Sequence, residues 1–295
     1  MATLVSIDGQ IVSPAEAKVS VFDRGFLYGD SVFETIRTYD GQPYALDEHL
    51  ERLAGSAQRV AIELPVSVGQ LRERVLRVVQ ESGNPESYIR LMVTRGSGEL
   101  GLAPDLAVEP LVVILVTPLT PPPPEAYREG IAVISHHTRR ATDSTLAEGA
   151  KVGNYLASVL AMKEAKSRGA AEALILDADG RVVEGATSNL FLFTSGPRPV
   201  LVTPPVSAGI LPGITRAGVL EVARELGLQV ELRAPTLDDL HRASEVFISS
   251  SIRELLPVVR IDDQQVGDGR PGPLTRQIHE AFRAFVRRPG DRAGD

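Results

Sequence analysis

Four prolines in a row, Pro121 to Pro124 in TPLTPPPPEAY, limit what the chain can fold into more than any other feature. Each proline fixes its φ at about −65° and removes a backbone donor, so no helix or central strand runs through the stretch. The run favours an extended polyproline II spacer. The same run can serve as ligand for a proline-reading module. The spacer suits a chain of 295 residues, which is long enough to bury two cores. The expected organisation is a first domain over residues 1–117, a linker over 118–125 and a second domain over 126–295.

Both halves mix strands and helices, so the expected class is α/β (mixed α+β). In the first half, VSIDGQIV reads as a hairpin around Asp8-Gly9. SVFETIRTY alternates, with Phe33, Thr35 and Arg37 on one strand face and Val32, Glu34 and Ile36 on the other. ALDEHLERLAGSAQRV has helical spacing with Asp47 as its expected N-cap, and VGQLRERVLRVVQESG predicts a second helix ending at Gly83. YIRLMVTRG and EPLVVILVTP predict strands. After the prolines come the strand GIAVIS, the helix NYLASVLAMKEAKSRG, the hairpin EALILDADGRVVEG and the strand NLFLF. The helix ITRAGVLEVARELG, the strand EVFISS and the amphipathic GPLTRQIHEAFRAFVRR follow, and the terminal PGDRAGD is expected to fray.

Several chemistries are excluded. The net charge of −7, with only short arginine pairs, argues against a nucleic-acid partner. No apolar stretch approaches the ~20 residues of a membrane span. MATLVSIDGQIVSP lacks the basic and apolar regions of a secretory signal. The chain has no cysteine, so disulfides, thiolate metal sites and cysteine nucleophiles are absent, and a cytoplasmic setting fits. His49, His136, His137, His241 and His279 show no metal-ligand spacing, and there is no G-x-S-x-G elbow. RGSGELG contains a formal G-x-G-x-x-G at Gly96, Gly98 and Gly101, but Pro104 and Pro110 bracket a short loop leading into another strand. A dinucleotide site needs a helix there. The expectation is a flexible glycine loop over a pocket.

Lysine is scarce. Lys18, Lys151, Lys163 and Lys166 are the whole set, and the remaining basic charge is arginine. Lys151, in AEGAKVGNYLAS, stands among small residues just ahead of an expected helix. Unlike a guanidinium, an amine can lose its proton and attack a carbonyl; the other reading is a surface charge at a helix entrance. The cofactor that exploits such an amine is pyridoxal phosphate, which asks for a lysine, an acid beside its ring nitrogen and an anion site for its phosphate. Glu184, at the end of GRVVE, is the candidate acid, because a carboxylate closing a buried strand needs a cation to meet it. A solvent-facing strand end is the alternative. Gly213 and Thr215 in LPGITRAGVLEVA sit where a helix N-terminus favours an anion, or where they simply cap. Arg52 in DEHLERL offers a planar fork that suits phosphate, or a solvated helix face.

VFDRGFLYGDSVFETIR, HLERL, KVGNYLAS, VVEGATSNLF, GILPGITR and SSSIRELLPV occur in the order seen in class IV (fold-type IV) pyridoxal-phosphate-dependent aminotransferases. The resemblance covers residues 4–285, and among these enzymes the chain looks most like the branched-chain aminotransferases. It implies a small N-terminal α/β domain, a larger cofactor-binding domain, and a homodimer with active sites at the interface. It implies Lys151 as Schiff-base lysine and proton carrier, Glu184 on the pyridine nitrogen and Tyr155 on the ring oxygen. Arg52, Gly213 with the backbone of Ile214, Thr215 and Ser251 would hold phosphate, and Leu211 would pack on the ring.

For substrate, the resemblance points to Tyr28, Phe33, Tyr88 and Arg90. It also places Leu100 and Leu102 on an apolar loop lent by the partner chain. The implied reaction moves an amino group between a branched-chain or other apolar amino acid and a 2-oxo acid such as 2-oxoglutarate. Departures are visible. Thr35 stands where the branched-chain enzymes have glycine, KVGNY is one residue short of K-x-G-G-N-Y, and Arg253 replaces a small residue. The Arg-x-His of D-amino-acid transaminases is absent from TRGSGELGLAP. FETIR, K-x-x-N and RGSG also occur in aminodeoxychorismate lyases, which eliminate pyruvate. D-amino-acid transaminase and lyase therefore stand as alternatives, as does a non-catalytic pyridoxal-phosphate binder.

Overall fold

The computed structural model describes residues 2–137 and 147–288. Their contacts form two compact units, residues 2–120 with 147–155 and 287–288, and residues 121–137 with 156–286. The terminal PGDRAGD lies outside the described residues.

The first unit contains β1 (Leu4–Ile7), β2 (Gln10–Val12), α1 (Arg24–Tyr28), β3 (Ser31–Tyr39), β4 (Gln42–Pro43), α2 (Leu46–Arg59), α3 (Val68–Ser82), β5 (Ser87–Gly98) and β6 (Ala107–Pro118). Its sheet is antiparallel in the order β2-β1-β6-β5-β3-β4. Leu46, Leu50, Leu53 and Ala57 recur at helical spacing on α2 and are all buried with Leu71, Val75 and Val78 of α3 against Ile36, Ile89, Leu91 and Val93 of the sheet. Burying each such leucine stabilises by about 1.5–3 kcal/mol.

Ser67 caps α3 in a reciprocal capping box with Gln70, and Gly83 ends the helix. The expected Asp47 cap is not formed. Ala45 holds the cap position with φ 50°, which brings Asp47 inside the first helical turn, where it accepts from Arg72 Nε at 3.1 Å. The glycine-rich connection is also tighter than its sequence suggests. Gly96 and Gly98 lie within β5; Gly98 pairs with Ala107 of β6, and Gly96 falls in the register irregularity between Thr94 and Ser97.

The second unit contains α4 (Pro124–Glu129), β7 (Ile131–His137), α5 (Leu156–Ser167), β8 (Glu172–Leu176), β9 (Val182–Gly185), β10 (Asn189–Phe193), β11 (Leu201–Thr203), α6 (Ile214–Glu225), β12 (Val230–Leu232), α7 (Leu237–Arg242), β13 (Glu245–Ser250), β14 (Glu254–Ile261), β15 (Gln264–Gln265) and α8 (Pro273–Phe285). The sheet runs β12-β11-β10-β13-β14-β7-β8-β9, with β15 on β14. Its β14-β7, β7-β8 and β11-β12 pairs are parallel, which gives the mixed class. Phe191 and Phe247 stack in its core with centroids 4.8 Å apart.

The unit boundary falls inside the proline-rich segment, between Thr120 and Pro121. Pro124 is already the first residue of α4, a position where a missing N–H costs nothing. Residues 147–155, however, group with the first unit rather than with the expected second domain. The cause is backbone pairing along β3. Phe33 N donates to the Lys151 carbonyl at 3.1 Å, Gly153 N to the Ser31 carbonyl at 2.8 Å, and Val32 bridges Val152.

Candidate active site

In the first unit, β3 and β5 pair Phe33 with Met92, Thr35 with Arg90 and Arg37 with Tyr88, so these side chains share one sheet face. The Arg90 guanidinium lies 3.8 Å from the Phe33 centroid. Lys151 reaches the same ring, with Nζ 4.7 Å from its centroid, and donates to Tyr155 Oη at 3.3 Å. Phe33 and Tyr155 meet edge to face at 5.2 Å. Lys151, Tyr155, Phe33 and Arg90 are therefore brought together. The Lys151 backbone N–H donates to Ser56 Oγ at 3.1 Å. The glycine of KVGN follows from close approach, because a Cβ at Gly153 would stand 2.1 Å from Ser31 Oγ. Among the described residues no carboxylate makes a salt bridge with Lys151 or Arg90. Lys151 is half-buried and thus not a plain surface charge.

Arg52 is not on a solvated helix face. Its Nε and Nη2 donate to Glu34 Oε1 at 2.8 Å and Oε2 at 2.6 Å, and Glu34 is fully buried. His49 Nδ1 stands 2.7 Å from Glu34 Oε2. Burial holds the His49 imidazole below the usual histidine range. It is neutral at pH 7, and its Nδ1–H donates to the carboxylate. Burial pushes the Glu34 carboxyl upward, but the Arg52 charge and the hydrogen bonds from Arg52 and His49 bring it down to about 2. Sequence reasoning missed Glu34 and His49. The signal for His49 was the three-residue spacing of HLERL, which puts it on one helix face with Arg52, whereas Glu34 carried none.

Tyr28 and Leu102 form a second grouping in this unit. Gly101 N donates to Tyr28 Oη at 3.3 Å, and buried Arg24 donates to the carbonyls of Gly101 at 2.8 Å and Leu102 at 3.2 Å. Leu100 and Leu102 themselves are exposed. Asp30 holds Arg24 and Arg95 together beneath this loop.

In the second unit, β9 delivers Glu184 to a buried position, which removes the solvent-facing alternative. Glu184 Oε2 accepts from Leu211 N at 3.0 Å, and the Leu211 carbonyl accepts from Asn189 Nδ2 at 3.0 Å. Asn189, missed in the sequence, opens β10 and ties that strand to the segment entering α6. Gly213 is the N-cap of α6 and no side chain caps the helix, so the first-turn N–H groups at Ile214 and Thr215 are available to an anion. A Cβ on Gly213 would lie 1.9 Å from Asn189 Oδ1. Thr215 is buried, and Ser251 is half-buried in the turn between β13 and β14.

The first unit thus holds an amine beside two aromatic rings, and the second unit separately holds a buried strand-end carboxylate and a helix N-terminus with no side-chain cap. Comparison with known proteins bears on their chemistry. The family model for class IV amino-transferases matches residues 31–261. The branched-chain-amino-acid aminotransferase of Escherichia coli strain K12 is 36% identical over 287 residues, covering 95% of this chain and 92% of that protein. The D-alanine aminotransferase of Bacillus licheniformis is 35% identical over 282 residues, covering 96% of each. The branched-chain amino acid aminotransferase of T.th., solved with pyridoxamine 5'-phosphate, superposes with a TM-score of 0.91 at 35% identity, over 98% of this chain and 96% of that one. Matched over most of its length in sequence and fold, the chain belongs to the class IV aminotransferases.

Proposed function

We propose that this aminotransferase moves an amino group between a branched-chain or other apolar amino acid and a 2-oxo acid such as 2-oxoglutarate, with pyridoxal 5'-phosphate as cofactor. The observation that carries the reading is Lys151. Its amine is half-buried, bonded to a tyrosine hydroxyl and not ion-paired among the described residues. The similarity to proteins solved and named as branched-chain aminotransferases supports the substrate class.

The residues present suit the cofactor. Arg52, Gly213, the Ile214 N–H, Thr215 and Ser251 would hold the phosphate, Glu184 the pyridine nitrogen, Tyr155 the ring oxygen, and Leu211 the ring face. Bound pyridoxal phosphate supplies an aldehyde that exchanges between amines and a ring that withdraws electrons from the substrate α-carbon. The Nζ of Lys151 takes the α-proton, and the Tyr155 hydroxyl orients that amine. Glu34 and neutral His49 fix the Arg52 fork. Phe33 excludes water from the Lys151 side, while Tyr28, Phe33, Tyr88, Arg90 and Leu102 choose the substrate. We place the enzyme in a homodimer. Val19, Val21, Phe22, Phe26, Leu100 and Leu102 are exposed apolar side chains that a second copy would cover. Among the described residues no helix is long and apolar enough to cross a membrane, and the cysteine-free composition supports a cytoplasmic setting.

Spectra of the cofactor-loaded protein mixed with single amino donors test the reading. L-Leucine is expected to convert the cofactor to its aminated form. Conversion by D-alanine alone would replace the reading with the D-amino-acid activity that the Bacillus licheniformis relative suggests. Pyruvate release from aminodeoxychorismate without an acceptor would replace it with the lyase.

A further inference from the structure

The turn between β13 and β14 carries Ser251 and, two residues on, Arg253. The Arg253 side chain is 18% exposed and folds back into the unit. Its Nη2 lies 2.8 Å from Glu172 Oε2 and 3.3 Å from the Thr187 carbonyl, and it also meets Thr187 Oγ1. Its Nε donates to Ser250 Oγ at 3.2 Å. Glu172 opens β8 and is completely buried. The Thr187 and Ser188 hydroxyls donate to its Oε2 at 2.8 and 3.2 Å. A carboxylate this deep is costly without a cation, and Arg253 is the cation that meets it. Thr187 and Ser188 lie in the turn that follows Glu184. One buried carboxylate therefore ties the Ser251 turn to the Glu184 turn.

The far side of the Ser251 turn is held as well. Tyr127 Oη donates to the Arg253 carbonyl at 3.0 Å. The next residue, Glu254, has φ 55°, and its buried carboxylate accepts from His279 Nε2 at 2.8 Å and Arg283 Nε at 2.7 Å, both on α8. A glutamate in left-handed backbone persists only where its surroundings over-determine it.

We infer that Arg253 is a positioning residue that acts through Glu172 to fix the turn presenting Ser251 to the cofactor phosphate. The inference rests on the proposed function, which assigns Ser251 to that phosphate. Glu184 keeps its own anchors, strand pairing to Ile175 and the bond from Leu211. Loss of Arg253 therefore weakens the phosphate grip rather than the ring contacts.

The test is equilibrium dialysis of the full chain against pyridoxal phosphate and against pyridoxal, which lacks the phosphate. Arg253→Met is expected to weaken pyridoxal phosphate binding roughly tenfold and pyridoxal binding by no more than about twofold, the scale of a charge-assisted contact. Arg253→Lys should recover part of the loss by restoring the charge opposite Glu172. Glu172→Gln should show the same phosphate-selective loss, and the double variant should be no weaker than the poorer single one. Unchanged pyridoxal phosphate binding in Arg253→Met, or equal losses for both ligands, would overturn the inference. If Arg253→Met does not fold, Glu172→Gln decides by the same criteria. A wild-type chain that binds neither ligand would overturn the proposed function itself.

Discussion

Arg52 and Glu34 face each other fork to fork, Nε to Oε1 at 2.8 Å and Nη2 to Oε2 at 2.6 Å, with the carboxylate wholly enclosed. The pair sets a pH dependence. The Glu34 carboxyl ordinarily titrates at 4.5 and here lies at about 2. Its stabilisation is complete above the higher value and is lost as pH falls through the lower one. The difference is on the order of 3 kcal/mol. Denaturant unfolding of the wild type should lose stability steeply between these limits. Glu34→Gln should be less stable at pH 7, because Arg52 loses its counter-charge, and should lack that slope. Parallel curves for the two proteins would remove Glu34 as the source.

Arg90 rests on the Phe33 ring with no salt bridge to a carboxylate among the described residues, and the proposed function assigns it to an acidic substrate. Arg90→Met should raise KM for 2-oxoglutarate by roughly tenfold to a hundredfold, the scale of a hydrogen bond to a charged group. The half-reaction with L-leucine should change by only about twofold. Steady-state kinetics with separate donor and acceptor titrations would show this split, and equal effects on both would refute it.

Gly213 leaves no room for a side chain, because Asn189 Oδ1 would stand 1.9 Å from a Cβ while Asn189 Nδ2 is held by the Leu211 carbonyl. Gly213→Ala should therefore displace the start of α6. Expected are a loss of about 1–3 kcal/mol in stability and weaker pyridoxal phosphate binding, read by thermal unfolding and dialysis of one preparation. Unaltered binding would argue against the α6 N-terminus as the phosphate site.

Phe247 stacks on Phe191 with the ring planes 3° apart, and both are fully buried. Phe247→Ala should cost about 3–5 kcal/mol by urea unfolding. A cost below about 1 kcal/mol would mean the second core closes over the cavity.

Local signals were strong where a residue's neighbours in sequence decide its state. The Gly83 terminus and the hairpin from β8 to β9 follow from short motifs. The lysine, the strand-end Glu184 and the Gly213 helix start were legible for the same reason. Long-range pairing was not. The bond from Phe33 to the Lys151 carbonyl joins positions far apart in the chain, and it draws residues 147–155 onto the first sheet. The polar partners Glu34, Asn189 and Glu172 are invisible to periodicity, because each is buried only by virtue of a cation or amide delivered from another element. Asp47 failed as a cap because Ala45 takes the left-handed entry position two residues earlier.

Which of the four lysines condenses with the cofactor decides whether Lys151 is the active-site amine. Sodium borohydride added to the protein with pyridoxal phosphate, followed by proteolysis and peptide mass spectrometry, reads this out. One label is expected, on the peptide containing Lys151, and Lys151→Ala should fold but take up none. A label on Lys18, Lys163 or Lys166, or a labelled Lys151→Ala protein, would contradict the account.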